Sequence, residues 1–95
     1  MIIVNAKLHL KEENFDDIIK QSELLINASR KHKGNISYNL YQDVLDEKLI
    51  FIEKWESKED LDEHMKTQEF IDFGESIKEF LTAPLDIKLI SGDEI

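Results

Sequence analysis

The spacing of hydrophobic positions changes several times along this chain, and each change marks a predicted element. Residues 2–10 alternate between apolar and polar side chains, which predicts a β-strand with one buried face. Its apolar positions are Val4, Ala6, Leu8 and Leu10. Over residues 14–32 the apolar spacing becomes three and four, which predicts an amphipathic helix. Asn14 is the predicted N-cap of this helix, and Gly34 is predicted to end it.

The second half of the chain predicts a hairpin, two helices and a last strand. In chain order these are strands at 36–43 and 49–56, helices at 58–66 and 68–82, and a strand at 85–90. The second strand of the hairpin is apolar on both faces, which is typical of a strand inside a sheet. Ser57, followed three residues later by Asp60, resembles a capping box for the first of the two helices. Pro84 blocks continuation of the second helix.

The predicted order of elements is β-α-β-β-α-α-β. This is the ferredoxin-like α+β plan, a four-stranded antiparallel sheet with helices on one face. Several apolar side chains would then lie on the face without helices: Tyr41, Ile50, Ile52 and Ile3. An uncovered apolar face of this kind is typical of an interface, most simply with a second copy of the chain. We therefore expect two sheets to pack face to face in a dimeric α+β barrel.

Length and charge limit the classes of function. Ninety-five residues indicate one domain spanning 1–95. The net charge of −9 and the single arginine, Arg30, argue against a nucleic-acid or anionic-membrane partner, because phosphate binding needs clustered cations. The absence of cysteine excludes disulfides, thiolate nucleophiles and cysteine-bound zinc. The first residues lack the basic leader and apolar run of a signal peptide, so we expect a cytoplasmic protein.

The stretch from Gly34 to Phe70 contains the most distinctive spacing. It reads Gly34-x3-Tyr38-x-Leu40-x2-Asp43, then Phe51-x-Glu53-x-Trp55, then Leu61-x2-His64, and ends at Phe70. This ordered set resembles the antibiotic biosynthesis monooxygenase family of the dimeric α+β barrel superfamily, and the resemblance covers essentially the whole chain. It is specific for the fold and less so for chemistry, because the superfamily holds monooxygenases, isomerases and heme-degrading enzymes.

The resemblance implies a homodimer with one pocket per subunit, between the helices and the sheet. It implies an oxidoreductase that oxygenates a small quinol or polyphenol with O₂ and needs no metal, flavin or heme cofactor. The heme-degrading relatives carry a Trp on the short helix and a His ten residues later, where this chain has His64 and Gly74, so we expect no heme chemistry. Two other functions remain open: an isomerase on the same scaffold, and a non-catalytic small-molecule-binding module of a stress response.

His64 is the leading candidate for the catalytic base, because an imidazole near its usual pKa can accept a phenolic proton at neutral pH. Its structural alternative is a surface histidine or one bonded to a backbone carbonyl. Trp55 could orient a ligand oxygen through its indole N–H, or anchor the core. Glu53 could act as a second acid or base, or be held by a structural partner. Tyr38 could contact the substrate or cap the core.

The remaining candidates are pocket-wall residues with equally plain structural alternatives. Four residues are predicted to line the pocket or to pack in the core: Phe51, Met65, Phe70 and Phe73. Asn5 could orient a carbonyl or peroxide, although its alternation with the apolar positions favours the dimer face. The other histidines, including His32, are predicted to have no role in the site. No cluster has metal-ligand spacing, so no metal site is predicted.

Overall fold

The computed structural model describes all of residues 1–95 and confirms the ferredoxin-like prediction. Its strands are β1 (Ile2–Leu8), β2 (Asn35–Gln42), β3 (Leu49–Trp55) and β4 (Asp86–Ser91). Its helices are α1 (Phe15–Ser29), α2 (Lys58–Met65) and α3 (Gln68–Ile77), with short 3₁₀ turns at Glu12–Asn14 and Lys78–Phe80. All strand pairs are antiparallel, in the order β2-β3-β1-β4. None of the helices has the length and apolar character needed to cross a membrane.

Two helix boundaries differ from the predictions. The side chain of Asn14 makes no capping hydrogen bond, because the chain enters α1 through a 3₁₀ turn. At its other end α1 stops at Ser29, before the predicted end at residue 32. The last helix is shorter than predicted because the segment after Ile77 tightens into a second 3₁₀ turn. Beyond that turn Leu81 forms an isolated bridge with Leu10, which draws it out of helical geometry.

The helix-facing side of the sheet forms the core and positions the site. It presents alternate residues of β1 and β3, which pack with residues of all three helices. The buried set is Val4, Ala6, Leu8, Ile18, Leu25, Tyr38, Leu49, Phe51, Trp55, Leu61 and Ile77. Within this layer Glu53 pairs with Val4 on one side and with Tyr38 on the other. A carboxyl group therefore stands in the middle of the apolar layer.

The opposite side of the sheet carries no helix, and we call it the open face. Its residues are Ile3, Asn5, Lys7, Ser37, Asn39, Tyr41, Ile50, Ile52, Lys54, Asp86, Lys88 and Ile90. Ile52 lies at its centre, between Asn5 and Asn39 in the register. Tyr41 is 52% exposed and Ile90 44% exposed. The open face thus combines five apolar side chains with seven polar or charged ones.

Gly34 holds the turn between α1 and β2 against the start of α2. Its φ of 78° lies in the left-handed region, which favours glycine. A Cβ atom at Gly34 would collide with the side chain of Asp60. Asp60 is fixed because its backbone N–H donates to the Ser57 hydroxyl oxygen (3.2 Å) and its carboxylate accepts from that hydroxyl (3.0 Å). The predicted Ser57 cap of α2 is thereby confirmed.

We expect Gly34→Ala to lower the free energy of unfolding by about 1–3 kcal/mol, because the added methyl group is strained by the positive φ and displaces Asp60. The measurement is the denaturant midpoint. Gly74→Ala is the matched control: Gly74 lies within α3 and a Cβ there meets nothing within 4 Å. That control is expected to be neutral or more stable by up to about 1 kcal/mol. Equal losses in both variants would contradict this role for Gly34.

Candidate functional site

A cavity of about 330 Å³ lies between the sheet and α3. Fourteen of its 17 lining residues are hydrophobic. Three residues of the lining, Glu53, His64 and Tyr38, carry polar groups, and all three side chains are almost fully buried. On β4, Ile87 and Leu89 line the wall and remain exposed, so the cavity opens along that edge of the sheet. The volume falls at the lower end of the roughly 300–1,000 Å³ typical of small-molecule sites.

Aromatic rings form much of the cavity wall. Phe51 on β3 meets Phe73 on α3 edge to face, with ring centroids 5.7 Å apart. Phe70 lies edge-on to the His64 ring, at 5.0 Å. Phe51 faces the helices because β3 alternates, while both α3 phenylalanines lie on the stripe of that helix that faces the sheet. Edge-to-face geometry of this kind is favourable for aromatic pairs and would suit a planar ligand ring.

Glu53 is a buried carboxyl next to two hydrogen-bond donors, Trp55 and Tyr38. It is 5% exposed, and its Oε1 accepts from the indole Nε1–H of Trp55 at 3.0 Å. Burial raises the pKa of Glu53 to about 7, against the opposing effect of hydrogen bonds from Trp55 and Tyr38. Near neutral pH the group is therefore divided between its protonated and ionised forms, which suits an acid–base catalyst.

Tyr38 remains protonated next to this carboxyl. Burial, together with the charge of Glu53, raises the pKa of the Tyr38 hydroxyl far above its usual value. The tyrosine ring packs against His64 at 5.4 Å between centroids and against the edge of Trp55 at 6.3 Å. Tyr38 thus keeps its hydroxyl proton near neutral pH, and its hydroxyl group donates to Glu53.

His64 is 1% exposed and lies in the last turn of α2. Its ring is stacked obliquely on Trp55, with centroids 4.5 Å apart and an interplanar angle of 37°. Burial lowers the pKa of His64 to about 4, and the neighbouring His32 adds to this effect. The imidazole is therefore neutral at pH 7, and the expectation that its pKa lies near the usual value is wrong. Neither of the plain alternatives, a surface position or a bond to a backbone carbonyl, describes this side chain.

The two ring nitrogens of His64 have different surroundings. Nδ1 lies 2.9 Å from Nδ1 of His32, whereas Nε2 is buried without a hydrogen-bond partner. Nε2 of His32 lies 3.8 Å from a carboxylate oxygen of Glu69. His32, which is predicted to have no role in the site, therefore contacts His64, although it does not line the cavity. It lies in the turn between α1 and β2, and no local sequence pattern shows that this turn meets α2.

The structure brings seven of the nine predicted site residues to the cavity: Tyr38, Phe51, Glu53, His64, Met65, Phe70 and Phe73. Trp55 and Asn5 require correction. Trp55 is 0% exposed and does not line the cavity, so it is a core anchor that holds Glu53. Asn5 lies on the open face, where alternation had placed it.

Sequence reasoning missed part of the cavity wall. The missed residues include Gly74, Leu85, Ile87 and Leu89. The alternation predicted for the last strand was the available signal, because Ile87 and Leu89 pair with Ala6 and Val4 of β1 on the helix-facing side. Using that signal required the sheet order, which places β4 beside β1.

Replacement of Glu53 by Gln is expected to change the pH dependence of stability. A carboxyl whose pKa is raised on folding binds its proton more tightly in the folded state, so stability falls as pH rises from about 4.5 to about 7. Glu53→Gln carries no charge and keeps an oxygen for the Trp55 N–H. At pH 8 we expect this variant to be more stable than wild type by up to about 3 kcal/mol.

Denaturant unfolding at two pH values tests this expectation. At pH 8 the wild-type carboxylate is ionised in both states, and the variant's advantage should be largest. At a pH near 4 the carboxyl is mostly protonated and the difference should nearly vanish. His64 titrates in both proteins, so its contribution to the pH dependence of stability cancels in the difference between them. A stability difference that does not vary with pH would show that Glu53 does not titrate with a raised pKa.

Sequence and structure comparisons agree with this architecture. The family model described as "Antibiotic biosynthesis monooxygenase" matches residues 1–76. A relative from Bacillus subtilis (strain 168), described as "Putative monooxygenase YcnE", is 32% identical over 88 residues, which is 92% of this chain and 93% of the relative.

Solved structures give the same result. A conserved protein from Methanosarcina mazei Go1 has a TM-score of 0.93 and 27% identity, covering 97% of this chain and 92% of its own. Rv0793 from Mycobacterium tuberculosis has a TM-score of 0.92 and 21% identity, covering 99% of this chain and 96% of its own. At that lower identity the second likeness shows the fold alone.

Proposed function

The chain belongs to the antibiotic biosynthesis monooxygenase family, and from this premise we propose that it oxygenates a small quinol or polyphenol with O₂ without a cofactor. The observation that carries the proposal is the apolar cavity, whose lining residues include Glu53, His64 and Tyr38. Apolar and aromatic walls favour a planar uncharged ring, and the three polar groups can handle the protons that oxygenation moves.

The proposed reaction begins when Nε2 of His64 accepts the phenolic proton of the substrate. The Tyr38 hydroxyl turns from Glu53 and donates its hydrogen bond to the resulting phenolate oxygen. The phenolate, which has carbanion character at a ring carbon, passes an electron to O₂, and the two radicals combine to form a C–O bond. Glu53, in its protonated form, gives its proton to the peroxide oxygen. The product of these steps is a ring hydroperoxide.

The second half of the reaction closes the proton balance. The Glu53 carboxylate removes the proton from the oxygenated carbon, the O–O bond breaks, and hydroxide leaves. Hydroxide takes the proton held by His64 and departs as water. One oxygen atom of O₂ remains in the product as a new carbonyl, the other is in water, and both side chains regain their starting states. Exclusion of bulk water by the apolar wall protects the intermediates.

An oxygen-uptake screen with a panel of hydroquinones tests the proposal on chelator-treated protein. Gly74→Phe is the blocked-cavity variant, because Gly74 lines the cavity and has open space where a side chain would project. Gly74→Ala is its matched control. We expect quinol-dependent uptake above the protein-free rate in wild type and Gly74→Ala, and at least a tenfold loss in Gly74→Phe.

The same screen separates the alternatives. An isomerase would convert substrate without consuming oxygen, and a binding module would hold a ligand unchanged. Uptake that is equal in wild type and Gly74→Phe would place the reaction outside the cavity.

We also propose that the active form is a homodimer joined through the open face. The central isoleucines of that face, Ile3, Ile50 and Ile52, are only partly buried within one chain. Covering them with the same face of a second copy would remove this apolar surface from water. Each protomer keeps a cavity of its own on the far side of its sheet.

A further inference from the structure

We infer that His32, together with Glu69, fixes which nitrogen of His64 carries the proton and conducts protons between the cavity and solvent. The role in turnover rests on the proposed function, whereas the placement of the protons can be measured without it. The two imidazole rings are tilted by 54° with centroids 5.1 Å apart, and the contact between them is the 2.9 Å approach of the two Nδ1 atoms.

A contact between two Nδ1 atoms requires that one carry a proton and the other a free lone pair. Two neutral arrangements satisfy this condition, and they leave opposite groups at Nε2 of His64. If His32 donates, His64 is protonated on Nε2. If His64 donates, its Nε2 has a free lone pair. The surroundings of His32 decide between them.

Glu69 favours the second arrangement. Its carboxylate oxygen lies 3.8 Å from Nε2 of His32, so a proton on that nitrogen is stabilised by the negative charge. A neutral His32 with its proton on Nε2 presents an unprotonated Nδ1, which accepts from Nδ1–H of His64. Nε2 of His64 is then the nitrogen with the lone pair, and it is the buried atom that has no partner within the protein. A substrate hydroxyl would complete its bonding.

His32 and Glu69 can also stabilise the positive charge that His64 gains when it accepts a proton. When His64 accepts a proton on Nε2, burial disfavours the imidazolium, as its pKa of about 4 indicates. Transfer of the Nδ1 proton to His32 moves the charge to a side chain that is 18% exposed and next to Glu69, whose side chain is half exposed. His32 can release its Nε2 proton to solvent, and the reverse sequence returns it. His32 is thus a positioning residue that acts through His64.

The test is the protonation of each ring nitrogen, read from long-range ¹H–¹⁵N NMR of protein labelled in its histidines, at pH 7 and without substrate. In wild type we expect His64 to be protonated on Nδ1 and unprotonated on Nε2. His32→Asn keeps a side-chain oxygen near the position of Nδ1 and should preserve this state. His32→Leu removes the acceptor and should shift the proton of His64 to Nε2. Glu69→Gln should shift it in part.

Turnover of the screened quinol gives the second readout. His32→Asn keeps the tautomer but cannot pass a proton, so kcat should fall at least about tenfold, and His32→Leu should fall further. Wild-type His64 protonated on Nε2, or an unchanged tautomer in His32→Leu, would overturn the inference, and the wild-type spectrum alone can do so. The expected tautomers without quinol-dependent oxygen uptake would instead refute the proposed function and leave the positioning role intact.

Discussion

His64→Gln is expected to lower kcat for the proposed quinol oxygenation by about 10²- to 10⁴-fold, the usual contribution of a positioned proton acceptor. The glutamine amide has similar length and fits a helix, but it cannot take up a proton at neutral pH. Because the cavity wall is otherwise unchanged, the dissociation constant of the substrate should change much less than kcat. Stopped-flow binding and oxygen uptake on the same samples measure the two quantities.

The control for this substitution is His9→Gln, since His9 lies outside the cavity wall and is partly exposed. It should leave both quantities within about twofold of wild type, as expected for a surface change without a special contact. Full turnover in His64→Gln would remove His64 from the reaction. A loss confined to binding, with kcat preserved, would favour the alternative in which the domain only holds a ligand.

Ile52→Asp is expected to convert the proposed dimer to monomers. Ile52 lies at the centre of the open face, so dimerisation would bury two new carboxylates, one from each copy, in the middle of the interface. An unpaired buried charge costs several kcal/mol, and about 4 kcal/mol corresponds to a thousandfold weaker association. Sedimentation equilibrium across a concentration series measures the dissociation constant.

Ile71→Asp is the matched control for dimerisation. Ile71 is 45% exposed on α3, and neither the open face nor the cavity wall includes it. That variant should retain the wild-type dissociation constant. Wild-type protein that remains monomeric at the highest concentration, or equal weakening in both variants, would contradict an interface on the open face.

Periodicity predicted the sheet and the faces of its strands because those properties depend on local alternation. Phe51, Glu53 and Trp55 were placed together on the helix-facing side, and the structure confirms it. Alternation also places Asn5 on the side of the sheet without helices. Its position in β1 therefore argues against a place in the cleft. Whether Trp55 lines a cavity or fills the core depends on how α2 packs over the end of β3. The residue pattern within a single helix or strand does not predict that packing.

The chemistry of the site was less predictable, because it depends on contacts between distant segments. His32 and His64 are separated by 32 positions and belong to a turn and a helix that meet only in the folded chain. The raised pKa of Glu53 results from burial. A sequence shows that Glu53 shares a face with apolar residues, but it does not show how completely they enclose the carboxyl. The fall in the His64 pKa has the same origin.

The most direct test of the central claim is the fate of oxygen atoms when chelator-treated protein turns over a quinol under ¹⁸O₂. The mechanism predicts that one O₂ is consumed per substrate, with one labelled atom in the new carbonyl and one in water. The product is reduced immediately, so that its carbonyl oxygen does not exchange with solvent water. Labelling should be lost in Gly74→Phe. A product formed at the wild-type rate without the label, or without consumption of O₂, would contradict the account.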